Sequence, residues 1–251
     1  MAKTKSTPSK AALAAANLLS ETIDHDRARL HFEAMALCEE ARGLIDRGWY
    51  ARALENTLPM TLIGDDLIVD RARELSIIAL ACLADETAAI DDDERHFEYL
   101  DTWRRLSPYD PEPIVRMGEA LCKLDHYAQA RSWFRKALTL KGDHFGALKG
   151  MVGVEWYSGQ KARCIHWVRR CWDAVNGYGW MSGHDEATAI KNLDDLYALT
   201  LVALLAGGKM DEALEIGRMA KEEFGGRLRF TMSIIEQVED DLPDIDLDGF
   251  I

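Results

Sequence analysis

The chain has 251 residues, with 30 Lys and Arg against 43 Asp and Glu and a formal charge of −13. Hydrophobic residues make up 48% and charged residues 29%, the balance of an ordinary soluble globular protein. An anion of this size repels phosphate backbone, which excludes a uniformly basic nucleic-acid binder. No apolar run approaches the roughly 20 residues needed to span a bilayer.

Read from the start, Lys3, Lys5 and Lys10 precede an apolar run from Ala11 to Leu19. Asn17 interrupts that run, and Ser20-Glu21-Thr22 continues straight into a helical pattern, so a secretory signal is not expected. A flexible basic tail over 1–10 leading into a short Ala-rich helix is the expectation. From there apolar residues recur at helical spacing, and alternating β-branched runs are nearly absent. Helices are predicted near 10–20, 25–47, 49–58, 66–88, 93–106, 111–124, 127–141, 145–158, 161–175, 187–207, 210–223 and 227–239. The five cysteines, Cys38, Cys82, Cys122, Cys164 and Cys171, include no CxxC spacing. They read as small apolar core residues of a protein in a reducing cytoplasm, not as a disulfide framework or a zinc site.

An array of helices invites a search for repeats. The clearest unit is 111–144, with Gly118, Tyr127, Ala130, Phe134 and Ala137. A small residue at positions 8 and 20 lets two helices cross closely. The small residue at position 27 seats the next unit, and Phe134 fills the gap between neighbours. This pattern resembles the tetratricopeptide repeat, a 34-residue helix–turn–helix. Steps of 34 place Gly159, Cys164 and Cys171 in 145–178, and Ala84 and Pro108 in 77–110, where His96 and Trp103 occupy positions meant for small residues. The outer units are 34–67, with Ala41, Gly48, Tyr50 and Ala53, and 194–227, with Gly208, Ala213 and Ala220. Turn positions then fall at 48, 91, 125, 159 and 208, leaving excesses of nine residues near 59–66 and 15 near 177–191. No unit carries the Trp of position 4, and Gly118 is the only glycine at position 8.

The resemblance implies an all-α, right-handed α-solenoid of about five such repeats over 11–239, with an N-terminal helix and a capping helix at 227–239. The last stretch, 240–251, is an acidic–apolar tail. From Glu236 onward there are seven acids and no Lys or Arg, with Leu242, Ile245, Leu247 and Phe250 set among the aspartates.

Chemistry is hard to find in this chain. No phosphate loop, GxSxG, HExxH or EF-hand pattern occurs. The run Asp91 to His96 reads as a helix cap, since carboxylates satisfy free amides and oppose the dipole there. No catalytic residue, metal site or cofactor is expected. The basic cluster Lys161, Arg163, Arg169 and Arg170, interleaved with Trp167 and Trp172, reads as repeat packing on a helix and not as a nucleic-acid site.

A binding role has more support. In the resembled family the concave groove is lined by positions 2, 5, 6, 9, 12 and 13 of the first helix. Here these are Glu112, Val115, Arg116, Glu119, Cys122 and Lys123, then Gly146, Lys149, Gly150, Gly153, Trp156 and Tyr157. Arg116, Glu119, Lys123, Lys149, Trp156 and Tyr157 are the candidate groove residues. Cations for carboxylates and aromatics for apolar anchors suit a peptide or helix of a partner protein. The carboxylate clamp that some family members use for chaperone C-termini is absent, because Lys149 is followed at position 9 by Gly153 where Asn is required. The corresponding face of 194–227, including Ala198, Leu199 and Val202, is too apolar to face water. Its own neighbouring helices are the expected cover, with a second copy or a client protein as alternatives. Tyr178, Trp180 and Met181, set among glycines, form a candidate contact loop.

The reading is a non-catalytic scaffold or adaptor. Alternatives are an assembly chaperone for a client such as a secretion-system protein, and recruitment or autoinhibition through the tail. Neither nucleic acid nor membrane insertion is expected, and a homodimer is among the candidate assemblies.

Overall fold

A computed structural model describes residues 10–62, 66–176 and 186–239, with side chains described from residue 28 onward except at 161, 162, 176 and 239. Eleven α-helices and no strand occur among the described residues. The chain divides into two compact units, Met1–Ser107 and Pro108–Ile251.

The first unit holds α1 (Lys10–Ile45), α2 (Tyr50–Thr57), a 3₁₀ turn (Leu58–Leu62), α3 (Asp66–Ala89) and α4 (Asp93–Leu106). Helices α1, α2 and α3 pack on one another, and α4 pairs with α3. Cys38, Ala41, Leu44, Ala53, Ala72, Leu75 and Ala79 form the core between the first three. Small side chains dominate it, so the helix axes approach closely. The expected break between 20 and 25 does not occur, and α1 runs unbroken for 36 residues. No Gly or Pro lies in that interval, so nothing removes a helical hydrogen bond. The nine-residue excess near 59–66 goes partly into a longer helix: α3 begins at Asp66, well before repeat position 77.

At His96 the misfit of 77–110 is resolved by a hydrogen bond. His96 stands where a small residue was expected, and it is buried. Its Nδ1 lies 2.8 Å from the carbonyl oxygen of Ala84, the close-contact residue of α3. The imidazole thus replaces a bare helix crossing with a polar one, and its N–H donates to the carbonyl. Asp92 caps α4, its carboxylate accepting from the Arg95 N–H at 3.3 Å.

The second unit holds α5 (Glu112–Lys123), α6 (Tyr127–Leu140), α7 (Phe145–Tyr157), α8 (Lys161–Asn176), α9 (Glu186–Ala206), α10 (Met210–Phe224) and α11 (Arg229–Glu239). Helices pair as α5/α6, α7/α8 and α9/α10, and each hairpin stacks on the next through α6/α7, α5/α7 and α8/α9. This is a helical-repeat fold. The small-residue positions behave as the repeat requires: Ala130, Ala137, Cys164, Cys171 and Ala220 are fully buried. Phe134 is also fully buried, wedged between two glycines. A Cβ on Gly118 would lie 2.7 Å from its ring, and one on Gly150 only 2.3 Å.

The five expected turns share one backbone form. Gly48, Asp91, Asp125, Gly159 and Gly208 all have φ between 55° and 76°. Just after each, the N–H of Trp49, Asp92, His126, Gln160 or Lys209 donates to the carbonyl five residues back, at 2.8–3.0 Å. That is the left-handed helix end that caps orphan carbonyls. Glycine adopts it without strain at three of the five, and aspartate tolerates it at two.

Helix α11 is fixed to the repeats by one carboxylate. Asp194 of α9 is buried and accepts from the N–H groups of Phe230 and Thr231, both at 2.9 Å, and from the Thr231 hydroxyl at 2.8 Å. It caps α11 from another helix, meeting the free amides of the first turn. Ile235 of α11 then sits over Gly217, where a Cβ would come within 2.9 Å. Ala198, Leu199 and Val202 are buried in a core that also contains Leu148, Trp156, Val168, Ile234 and Ile235. Neighbouring helices and α11 therefore cover the apolar face of α9.

Candidate functional site

A cleft of about 410 Å³ opens between α5 and α7, with the start of α6 at one end. Phe134 forms its floor. Gly150 and Gly153 line the α7 wall, and the Phe134 ring fills the space that a Cβ on Gly150 would take. Glu119, Cys122 and Lys123 line the α5 side, Lys149 and Tyr157 the α7 side, and Asp125 and Tyr127 the end. The volume suits a ligand side chain or a short peptide segment.

The aromatic edge is preorganised. Tyr127 and Tyr157 stack with centroids 5.5 Å apart and ring planes 9° apart. The Tyr127 hydroxyl donates to Asp125 Oδ1 at 2.5 Å. That hydrogen bond to a carboxylate pushes the phenol up to about 12, so Tyr127 remains neutral. Tyr157 remains 40% exposed and presents its other face to the opening.

Charge in the cleft is mixed. Lys149 Nζ meets Asp195 Oδ2 at 2.5 Å, and Arg116 Nε meets Glu112 Oε1 at 3.0 Å. Lys123 is exposed at the rim. Glu119 faces the opening yet is crowded by protein on its other sides. That confinement, reinforced by Glu112, raises its carboxyl above the usual range despite Lys149, Arg116 and Lys123 nearby. Burial, with Glu119 beside it, pushes the Cys122 thiol up to about 11. The cleft thus holds an unreactive thiol, an easily protonated carboxyl and a rim lysine around an apolar floor.

The second wall is braced from behind. Glu155 of α7 is almost fully buried, and Arg131 of α6 grips it with two bonds of 3.1 and 3.2 Å. Arg163 of α8 lies 3.8 Å from the same carboxylate. His144 Nδ1 accepts from the Ala147 N–H at 3.3 Å and caps α7, while burial lowers its basicity.

Glu119, Lys123, Lys149 and Tyr157 all line the cleft as sequence positions implied. Arg116 lies on the same helix but pairs with Glu112 and is not part of the lining. Trp156 is a correction: it is 5% exposed and packs with Leu148, Val152 and Val168. Helix α7 turns Tyr157 toward the cleft and Trp156 toward α8 and α9. Val115, at another groove position, is also buried. Sequence reasoning missed Asp125 and Tyr127 as lining. Their positions in the turn and at the start of α6 were the available signal. Cys122 lines the cleft instead of joining the core. Tyr178, Trp180 and Met181, and Leu242, Ile245, Leu247 and Phe250, lie outside the described residues.

Among the described residues, no group of three His, Cys, Asp or Glu side chains is placed to hold a metal ion. All five cysteines are free. No helix among the described residues is long and apolar enough to cross a membrane.

No family model matches the chain, and no curated protein matches it. Among solved structures, it is similar to MamA 41-end from Desulfovibrio magneticus RS-1, at 19% identity and a TM-score of 0.45, covering 65% of this chain and 89% of that one. It is also similar to the MamA RS-1 ArsTM double mutant, at 18% identity and a TM-score of 0.40, covering 67% of this chain and 97% of that one. Neither likeness bears on what this chain binds.

Proposed function

We propose that the chain is a non-catalytic interaction module whose α5–α7 cleft holds a short peptide segment of a partner protein. The observation that carries this reading is the juxtaposition of a glycine-lined wall, a fully buried Phe134 floor and the stacked Tyr127–Tyr157 edge. An apolar side chain enters beside Phe134 and stacks against Tyr157. A carboxylate next to it reaches Lys123 at the rim. The cleft is preformed, so binding needs little backbone change. The chaperone alternative loses its motive, since the apolar face of α9 that a client would cover is already buried within its own unit.

Selection of peptides from a display library on the full-length chain tests the reading. Selected peptides are expected to carry an apolar residue next to an acid. Tyr157→Ala and Lys123→Glu, both at exposed positions, should each weaken them by about tenfold, the equivalent of 1.4 kcal/mol. Equal affinity for both variants and the parent would sink the proposal.

A further inference from the structure

The chain is acidic overall, yet one stretch is strongly basic. Residues 127–176 hold nine Lys and Arg against three Asp and Glu, while the rest holds 21 against 40. Helix α6 contains no acid at all. Within this stretch a short pattern recurs 34 residues apart: Trp133-Phe134-Arg135-Lys136 on α6 and Trp167-Val168-Arg169-Arg170 on α8. The two copies occupy identical repeat positions, on the two helices that flank α7.

The side chains repeat as well. Lys136 Nζ lies 4.0 Å from the Trp133 ring centroid, and Arg170 Cζ lies 5.0 Å from that of Trp167. Arg170 is also held by the Gly142 carbonyl at 3.0 Å. Each tryptophan is half-buried, so it presents an apolar ledge beside a fixed cation. Arg135 and Arg169 are exposed next to these ledges. Of the three acids in the stretch, Glu155 is consumed by Arg131 and Arg163. Two ledges with four cations fit an acidic segment that also carries apolar residues. A long polyanion fits worse, because it would run onto the acidic remainder of the molecule.

We propose that the acidic–apolar stretch 240–251 of this same chain docks on the exposed face of α6 and α8. It carries five aspartates and no Lys or Arg, with Leu242, Ile245, Leu247 and Phe250 among its apolar residues. It follows α11 directly, and α11 packs on α9, which packs on α8. Twelve residues reach about 40 Å when extended. Neighbouring helices lie roughly 8–10 Å apart, so both ledges are within range. The α5–α7 cleft, with Lys123 at its rim, suits one carboxylate and is the poorer acceptor for five aspartates. Its Lys149 is already paired with Asp195, and Glu119 and Asp125 line it. The aspartates meet Arg135, Lys136, Arg169 and Arg170, and the apolar residues cover the tryptophans.

Zero-length carbodiimide coupling on the full-length chain tests this, since it joins a carboxylate to a lysine only in contact. Mass spectrometry is expected to find Asp244, Asp246 or Asp248 joined to Lys136 or Lys141. The yield should fall about tenfold in 0.5 M salt, where screening acts within roughly 4 Å. The same loss is expected for the Arg135→Glu/Arg169→Glu variant, whose circular dichroism should match the parent. If that variant fails to fold, the salt series on the parent decides alone. Mixing ¹⁵N-labelled and unlabelled protein separates coupling within a chain from coupling between chains. Coupling to Lys123 or Lys149, coupling between chains, or no coupling of these aspartates at all would each overturn the proposal.

Discussion

Replacing Gly150 by alanine gives opposite outcomes under two readings of the repeat. In an exposed helix interior, Gly→Ala stabilises by about 0.5–1 kcal/mol, because glycine loses more backbone entropy on folding. Gly150 is different, since an added Cβ would lie 2.3, 2.4 and 2.7 Å from three carbons of the Phe134 ring. The ring cannot retreat far. The same carbons, Cε1 and Cζ, also lie against Gly118, where a Cβ would come within 2.7 Å. Forcing one carbon into such a contact typically costs about 1–3 kcal/mol, occasionally more. The upper part of that range applies here, because the ring is fully buried and rigid. Subtracting the gain in helix propensity leaves a net loss of about 1–2 kcal/mol. Urea denaturation followed by far-UV circular dichroism reads it directly as a lower midpoint. The double variant Gly150→Ala/Phe134→Leu should lose about 1 kcal/mol less than the sum of the single changes, since leucine vacates the contested space. If Gly150→Ala stabilised the chain, the aromatic wedge between successive hairpins would not exist as described.

Four further outcomes follow from other contacts. Gly159→Ala, at φ 71° in open space, should cost about 1–2 kcal/mol, whereas Gly43→Ala inside α1 should gain about 0.5–1 kcal/mol, both read by thermal melting. Asp194→Ala removes the cap of α11 and leaves the Thr231 hydroxyl without its carboxylate, a loss of about 2 kcal/mol, with amide hydrogen exchange accelerating across 229–239. Arg131→Ala strips the main partner from buried Glu155 and should cost about 3 kcal/mol in the same urea assay, more than any other surface arginine of α6. Glu119 has a raised folded-state pKa, so its contribution to stability is most favourable when protonated and declines as pH rises through that pKa. Glu119→Gln should therefore raise the melting temperature at pH 7 and flatten the gain that the parent shows on acidification.

The repeat frame is the most legible part of the sequence, because it depends on residues with narrow conformational or steric roles. A spacing of 34 means little by itself, but Ala130, Cys164 and Ala213 locate each helix crossing, and the left-handed turns at Gly48, Gly159 and Gly208 follow. Asp91 and Asp125 take the same backbone form without glycine, and only the repeat spacing marks them. Continuity of α1 is not legible, since the mostly polar stretch Ser20 to Asp24 reads as a boundary while the backbone has no physical reason to stop. His96 reads as a misfit because the compensating acceptor is a backbone carbonyl, which no side-chain pattern reveals. Trp156 and Tyr157 illustrate the limit for the cleft. Adjacent helical residues diverge by about 100°, and in α7 the core takes Trp156 while Tyr157 faces the cleft, whereas Cys122 and Lys123 at the same positions of α5 both line it. The paired basic–tryptophan pattern on α6 and α8 is readable in outline, but its cation–ring geometry needs coordinates.

The most direct measurement of the central claim is photo-crosslinking of a selected peptide, with the reactive group on its apolar residue, to the full-length chain. Peptide mapping is expected to place the adducts on Cys122, Lys123 or Tyr157, with loss of labelling when unmodified peptide competes. Adducts confined to α6 and α8, to the first unit, or insensitive to competition would contradict the assignment of the α5–α7 cleft as the binding site.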